Sequence, residues 1–349
     1  MVPVLNELGR RVPGLHAILR TTVPRSFFEG RLTIPWEVSA ARQDVGCVQH
    51  GPLHVDVAAT WIEHIRLHED WDRLVTTETR AIQASAPNLV LSDISYLAIE
   101  AGGRAGLPTV GLCNLSWDRV LDRFLTPDRQ EHRSVLSHIR RAYALTDLMV
   151  RLAPGIELDA FRRVADVGPV ATPSPPDRAA LLAATGASPG ERLVLVALGG
   201  IPLQHLPCKA LDELSGYRFV VAGPVPSDAR RSHALSAVPL AFGTVFASVD
   251  VVVSKPGYNT VVEAVALAKP MVYVPRSNFV DEPALVKYLH RFGRGVELSL
   301  EDFHAGRWKA ALEQVGTVSP PGQTAPVPTG ASEAASILAG YLNGREARG

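Results

Sequence analysis

The chain has 349 residues, 46% hydrophobic and 20% charged, and its 35 basic and 35 acidic side chains leave no formal net charge. That length exceeds one ordinary domain and that apolar content fills two cores, which excludes a disordered chain; the charge balance, with no basic block, excludes a nucleic-acid surface. Cys47, Cys113 and Cys208 lie far apart in apolar runs, the usage expected of reduced core thiols in a cytoplasmic protein.

Residues 1–11 have the period of an amphipathic helix, with Val4, Leu5 and Leu8 on one face and no capping residue ahead of them. A parallel α/β domain ordinarily opens on a strand, so the expectation is a first domain lacking its first strand. Apolar stretches at 15–22, 32–39, 88–92, 108–113 and 147–152 are predicted strands, and 57–86 and 132–144 are predicted helices. The run Pro169 to Asp177, P-V-A-T-P-S-P-P-D, has no apolar period and is stiff with proline, as a linker would be. Beyond it the alternation repeats. Strands are predicted at 193–198, ending on Gly199-Gly200, at 218–222, ending on Gly223-Pro224, and at 251–254 and 271–274. Residues 317–329 read as loop and 331–342 as a closing helix. The expected architecture is α/β: two facing Rossmann-like domains, at 1–167 and 179–349, joined by a linker at 168–178. No apolar run reaches membrane-spanning length, and no signal pattern opens the chain.

Chemistry concentrates between Asp250 and Leu289. A buried strand, Val251 to Val253, runs into a turn containing Pro256 and Gly257, and a helix is predicted to start near Asn259 or Thr260. Gly257 lets backbone approach a ligand, Asn259 or Thr260 caps the helix, and the unpaired N–H groups there suit a diphosphate, with Lys255 adding charge and Tyr258 in the same turn. Glu263, one turn in, is placed to accept from ribose hydroxyls. After the next strand, Asp281 and Glu282 offer two acceptors for the hydroxyls of a sugar.

This run resembles the donor-binding segment of GT-B glycosyltransferases, including the undecaprenyl-diphospho-muramoylpentapeptide N-acetylglucosaminyltransferases and plant UDP-glucosyltransferases. Ala268-Lys269-Pro270 and Pro275 match the exit of the second strand, with Ala268 where glycine is usual, and Glu282 stands where glutamine is common. A second resemblance rests on D-V-G-C-V-Q (44–49), S-D-I-S-Y (92–96), N-L-S-W-D (114–118), S-K-P-G-Y-N-T and F-V-D-E-P. These are similar to the glycosyltransferase-like N-terminal region of plant L-arabinokinases and its stand-alone bacterial relatives. The sequence has no Gly-rich ATP loop, so kinase chemistry is not carried over.

The resemblance implies a nucleotide-sugar donor, a UDP-sugar, bound by the second domain, with Gly199 and Gly200 beside the diphosphate, and transfer to an unidentified acceptor with inversion. With helix N–H groups meeting the leaving charge, it implies no metal and no cofactor beyond the donor. Inverting relatives use a His base after the first strand, held by an Asp. The chain begins beyond that loop, and Asp93 stands where the Asp would orient the base. Equally, Asp93 would cap the helix expected near Ser95. Asn114, Ser116, Trp117 and Asp118 are expected to face the acceptor cleft, Trp117 either stacking on an acceptor or packing on a helix. His50 and His54, flanking a Gly-Pro turn, are alternative bases.

Asp70-Trp71-Asp72 is a D-x-D string, but it falls inside a predicted helix rather than at a strand end. His64 and His68, on one helix face, read as solvated surface. Two other functions stay open: a nucleotide-sugar epimerase on the same fold, and a non-catalytic sugar-nucleotide-binding protein.

Overall fold

A computed structural model describes residues 1–126, 128–200, 206–276 and 278–344. It divides into two compact units: residues 1–48, 55–170 and those from Pro328 onward form unit 1, and residues 49–54 and 171–327 form unit 2.

Unit 1 opens with helix α1 (Val2–Arg11), which buries Val4, Leu5 and Leu8 as its period predicts. Strand β1 (Ala17–Thr21) then pairs in parallel with β2 (Trp36–Ala40). The predicted helix at 57–86 is two, α2 (Val57–Glu69) and α3 (Trp71–Ser85), meeting at Asp70. The break drops Trp71 into the core, where it is 4% exposed and its indole N–H donates to Glu100 at 2.8 Å. The D-x-D string therefore sits at a helix junction, with Asp70 paired to Arg73 and Asp72 to Arg104.

The chain continues through β3 (Val90–Ser92), α4 (Tyr96–Arg104), β4 (Thr109–Cys113), α5 (Trp117–Asp122), α6 (Gln130–Tyr143), β5 (Leu148–Leu152) and β6 (Val164–Val167). These four strands make one parallel sheet in the order β3-β4-β5-β6, separate from the β1–β2 pair. Among the described residues no strand pairs with the second edge of β1 or of β3. Accordingly β1 is only half-buried along its length, whereas β4 is buried at four of its five positions.

Unit 2 contains α7 (Arg178–Thr185), β7 (Arg192–Val196), α8 (Cys208–Leu211), β8 (Tyr217–Val221), β9 (Ser232–Ala234), α9 (Phe242–Ser248), β10 (Val251–Ser254), α10 (Tyr258–Ala266), β11 (Met271–Tyr273), α11 (Glu282–Phe292), β12 (Gly295–Glu297), α12 (Leu300–Ala305) and α13 (Lys309–Thr317). Its strands form one parallel sheet ordered β12-β11-β10-β7-β8-β9. Apolar runs suit strands covered on both faces. Leu193, Leu195 and Val252 join one core with Leu181, Val261 and Leu285, while Val194, Val196, Val251 and Val253 join another with Phe303, Trp308 and Leu312. From β7 the chain builds outward through β8 and β9, then returns to add β10, β11 and β12 on the other side. The connections leaving β7 and β10 therefore diverge, a topological switch point at the carboxyl ends of these neighbouring strands.

From sequence the closing helix is expected in the second domain. Instead α14 (Gly330–Leu342) belongs to unit 1 and packs on α1. Arg11 donates to Ser332 at 2.6 Å, and the Gly168 N–H donates to Glu333 at 2.7 Å. An amphipathic period states that a helix is covered, not by what. Among the described residues no helix is long and apolar enough to cross a membrane.

Candidate functional site

The diverging point of the unit 2 sheet gathers the predicted donor residues. Past β7, Ala197 and Leu198 are still buried, and Gly199 then turns with φ +91, leaving Gly199 and Gly200 exposed. The neighbouring strand β10 ends on Ser254, whose hydroxyl donates to the Ala197 carbonyl at 2.5 Å and ties the two exits together. Lys255 follows, half-buried. A side chain on Gly199 would meet its Cε at 3.2 Å, so the lysine lies across the glycine loop. Loss of solvation, then the nearby positive charge of Arg276, lowers the Lys255 ammonium to about 8.

The Gly257 N–H donates to the Lys255 carbonyl at 2.8 Å, closing a tight turn into α10. The helix begins at Tyr258, slightly earlier than expected, with Gly257 as its cap and Asn259 and Thr260 in the first turn. No side chain caps it. Gly257 has φ −108, and a Cβ built on it meets nothing within 4 Å. Among the described residues nothing requires glycine at this position.

Glu263 is half-buried on α10; one carboxylate oxygen accepts the Thr172 N–H at 3.3 Å, and burial raises its carboxyl above the usual range. Asp281 and Glu282 begin α11, but both are buried, 4% and 8% exposed. Glu282, expected to offer acceptors to a sugar, turns both carboxylate oxygens to Arg276. Its Oε1 accepts the Arg276 backbone N–H at 2.8 Å and its Oε2 accepts Arg276 Nε at 3.1 Å, which commits both oxygens within the protein. Arg276, 7% exposed, also donates from Nη2 to the Pro256 carbonyl at 2.7 Å and lies 3.8 Å over the Phe279 ring. The Asp281 carboxylate is 3.8 Å from the same guanidinium.

In unit 1, Asp93 leaves β3 next to Ile94, a β-branched residue held at φ +55. The helix after it is capped by Ser95, whose Oγ accepts the Ala98 N–H at 3.3 Å, so Asp93 is not the cap. Asp93 is exposed, yet crowding by surrounding protein raises its carboxyl, opposed by a hydrogen bond from Cys113. The Tyr143 hydroxyl holds the strained turn, donating to the Ile94 carbonyl at 2.7 Å and accepting the Trp117 N–H at 3.2 Å.

Three of the four proposed acceptor residues do not present an open surface: Asn114, Ser116 and Asp118 are 5%, 0% and 2% exposed. Ser116 donates to Asp118 at 2.6 Å, and Arg140 approaches that carboxylate at 3.5 Å. Trp117 is half-exposed, with its indole N–H on Asp44 at 2.9 Å and Gly46 against its ring. The Ser95 hydroxyl donates to the Gln43 carbonyl at 2.8 Å. The runs beginning at Asp44, Ser92 and Asn114 thus meet around one strand-end region, a convergence no local pattern reveals.

His64 overturns its surface reading: it is fully buried, with Nδ1 3.2 Å from the Tyr96 hydroxyl and Nε2 3.0 Å from the Gly46 carbonyl. His68 is half-buried and stacks on Trp71. His50 and His54 are exposed and stack on each other in unit 2. Local sequence does not mark Asp44 or Arg276 as a site residue. For Arg276 the available signal was an arginine at a strand exit, six positions before a glutamate.

No protein-family model matches the chain. L-arabinokinase of Arabidopsis thaliana is 26% identical over 323 residues, 92% of this chain; the chain spans 31% of that protein's length. Among solved structures, the calicheamicin glycosyltransferase superposes with a TM-score of 0.60 at 18% identity, over 98% of this chain and 94% of that one. A UDP-glucose:anthocyanidin 3-O-glucosyltransferase in complex with UDP gives 0.59 at 14% identity, over 98% and 96%. The UDP-glucosyltransferase of Polygonum tinctorium gives 0.54 at 15%, over 98% and 90%. The chain has the GT-B glycosyltransferase fold, two Rossmann-like domains with parallel sheets, and a distant similarity to plant L-arabinokinase, as its motifs suggested.

Proposed function

We propose that the chain is a glycosyltransferase that takes a sugar from a UDP-sugar held by unit 2 and delivers it to an acceptor hydroxyl with inversion. The observation that carries this reading is the meeting of Gly199-Gly200, Lys255 and the uncapped start of α10 at the diverging point of the unit 2 sheet. Backbone N–H groups and one lysine at such a point suit a diphosphate. In support, a protein of the same fold has been solved with UDP.

In the proposed reaction the acceptor hydroxyl gives its proton to a general base as its oxygen bonds to the anomeric carbon, while the bond from that carbon to the diphosphate oxygen breaks. The electron pair leaves on the phosphate oxygen. Its growing charge meets N–H dipoles already pointed at it, which lowers the barrier without reorganisation at the moment of transfer. Glu263 is assigned to the ribose hydroxyls and Asp281 to the sugar, with Glu282 acting through Arg276. On the unit 1 side, Asp93 is assigned to orient the general base, and Trp117 is the candidate acceptor contact.

Titration calorimetry with UDP and with uridine tests the donor site; failure to bind UDP overturns it. Incubation with UDP-sugar labelled in the sugar tests the reaction. Labelled sugar on an acceptor or in water, with UDP released, is the expected outcome. Recovery of an epimerised nucleotide sugar, or binding without turnover, would establish one of the two rival functions instead.

A further inference from the structure

A buried arginine is costly to desolvate and is retained only where its donors are met. Arg276 meets its partners in two separate connections: Glu282 and Phe279 in the β11–α11 connection, and the Pro256 carbonyl in the β10–α10 turn. Pro256 lies between Lys255 and Gly257, and the Gly257 N–H is turned back onto the Lys255 carbonyl. The arginine fork therefore bonds to the peptide that sets the direction of both Lys255 and the first turn of α10. Lysine cannot replace this arrangement, because an ammonium lacks the planar fork that spans a carboxylate and a carbonyl together.

We propose that Arg276, locked by Glu282, is a positioning residue that holds the Lys255-Pro256-Gly257 turn in register to receive a diphosphate. The inference rests on the donor-site reading and extends it: the acidic residue at the start of α11 acts on phosphate recognition through the arginine, and not on the sugar. It also explains why a glutamate serves at this position, since both its oxygens are used as acceptors. The same guanidinium charge faces Lys255 and contributes to the lowered titration of that lysine, opposed by Asp281 and Glu282.

The test compares the parent with Arg276→Lys and with the double variant Arg276→Met, Glu282→Met. The double variant replaces the buried pair by apolar groups of similar length, an exchange that often leaves stability unchanged. Two quantities are read in the full chain: UDP affinity and uridine affinity. Expected in both variants is a loss of UDP affinity of about tenfold or more with uridine affinity unchanged, because the turn touches only the phosphates.

UDP affinity within twofold of the parent would overturn the inference and leave the donor site standing. Equal losses of UDP and uridine affinity would reduce Arg276 to a general structural role. If the parent itself failed to bind UDP, the donor-site reading would fall.

Discussion

At the residue scale, glycine and alanine positions separate what the fold needs from what a ligand needs. Gly257 has an ordinary φ and open space where a side chain would go. Gly257→Val is expected to abolish UDP binding in calorimetry while leaving the melting temperature close to the parent; retained binding would place the phosphates elsewhere, first at Gly199-Gly200. Ala268 is the opposite case. It is exposed and sits at φ +52 just past α10, where glycine is usual in the proteins its motif resembles. The left-handed region costs a residue with a Cβ about 1–2 kcal/mol, partly offset by the added freedom of an unfolded glycine. Ala268→Gly is therefore expected to stabilise unit 2 by roughly 0.5–1 kcal/mol in denaturant melts, and a destabilised variant would contradict this account. Glu263→Ala should weaken UDP binding by about 1–3 kcal/mol, the scale for losing a charged acceptor, and unchanged affinity would remove the ribose assignment.

At the element scale, α2 carries a pH dependence that its sequence concealed. His64 is buried between Tyr96 and the Gly46 carbonyl, and desolvation lowers its titration from 6.5 to about 4. The folded protein therefore binds fewer protons than the unfolded chain between these values, and stability rises with pH across that window. Neutral His64 contributes fully above pH 6.5, and its contribution is lost as pH falls toward 4. A shift of this size is worth about 3 kcal/mol. Urea melts of unit 1 signals from pH 7 to pH 4 should show this loss, and His64→Gln should flatten the slope. A slope that persists in the variant would assign the effect to other groups, His68 first, since it too is lowered to about 4.

At the scale of the whole molecule, the two units differ in how their sheets are completed. Unit 2 has six strands in one parallel sheet, whereas unit 1 has a pair and a set of four, with β1 and β3 each unpaired by strands on one edge among the described residues. Backbone groups at such edges open more readily than those inside a ladder. Hydrogen exchange resolved by segment should show faster exchange at Ala17–Thr21 and Val90–Ser92 than at Arg192–Val196 and Val251–Ser254. Equal protection would mean that packing, not strand pairing, sets local stability in unit 1.

Much of this organisation follows from short-range pattern. Apolar runs of four to six residues ending on glycine or a polar turn place β4, β5, β7, β8 and β10, because strands covered on both faces need continuous apolar sequence. The same locality places Lys255 at a strand exit, Gly257 in the turn and Glu263 on the helix, since a strand, turn and helix that follow one another fix each other's geometry. The short strands β6, β9 and β12 are not marked by the sequence, because they lack the continuous apolar run that the comparably short β3 and β11 belong to. The break at Asp70 was hidden because the apolar period runs on across it. Burial of His64, the pairing of α14 with α1 and the commitment of Glu282 to Arg276 were decided by tertiary structure alone. In each case a side chain or helix face satisfies its polar or apolar needs with a partner that local sequence does not name, and burial, not propensity, selects that partner.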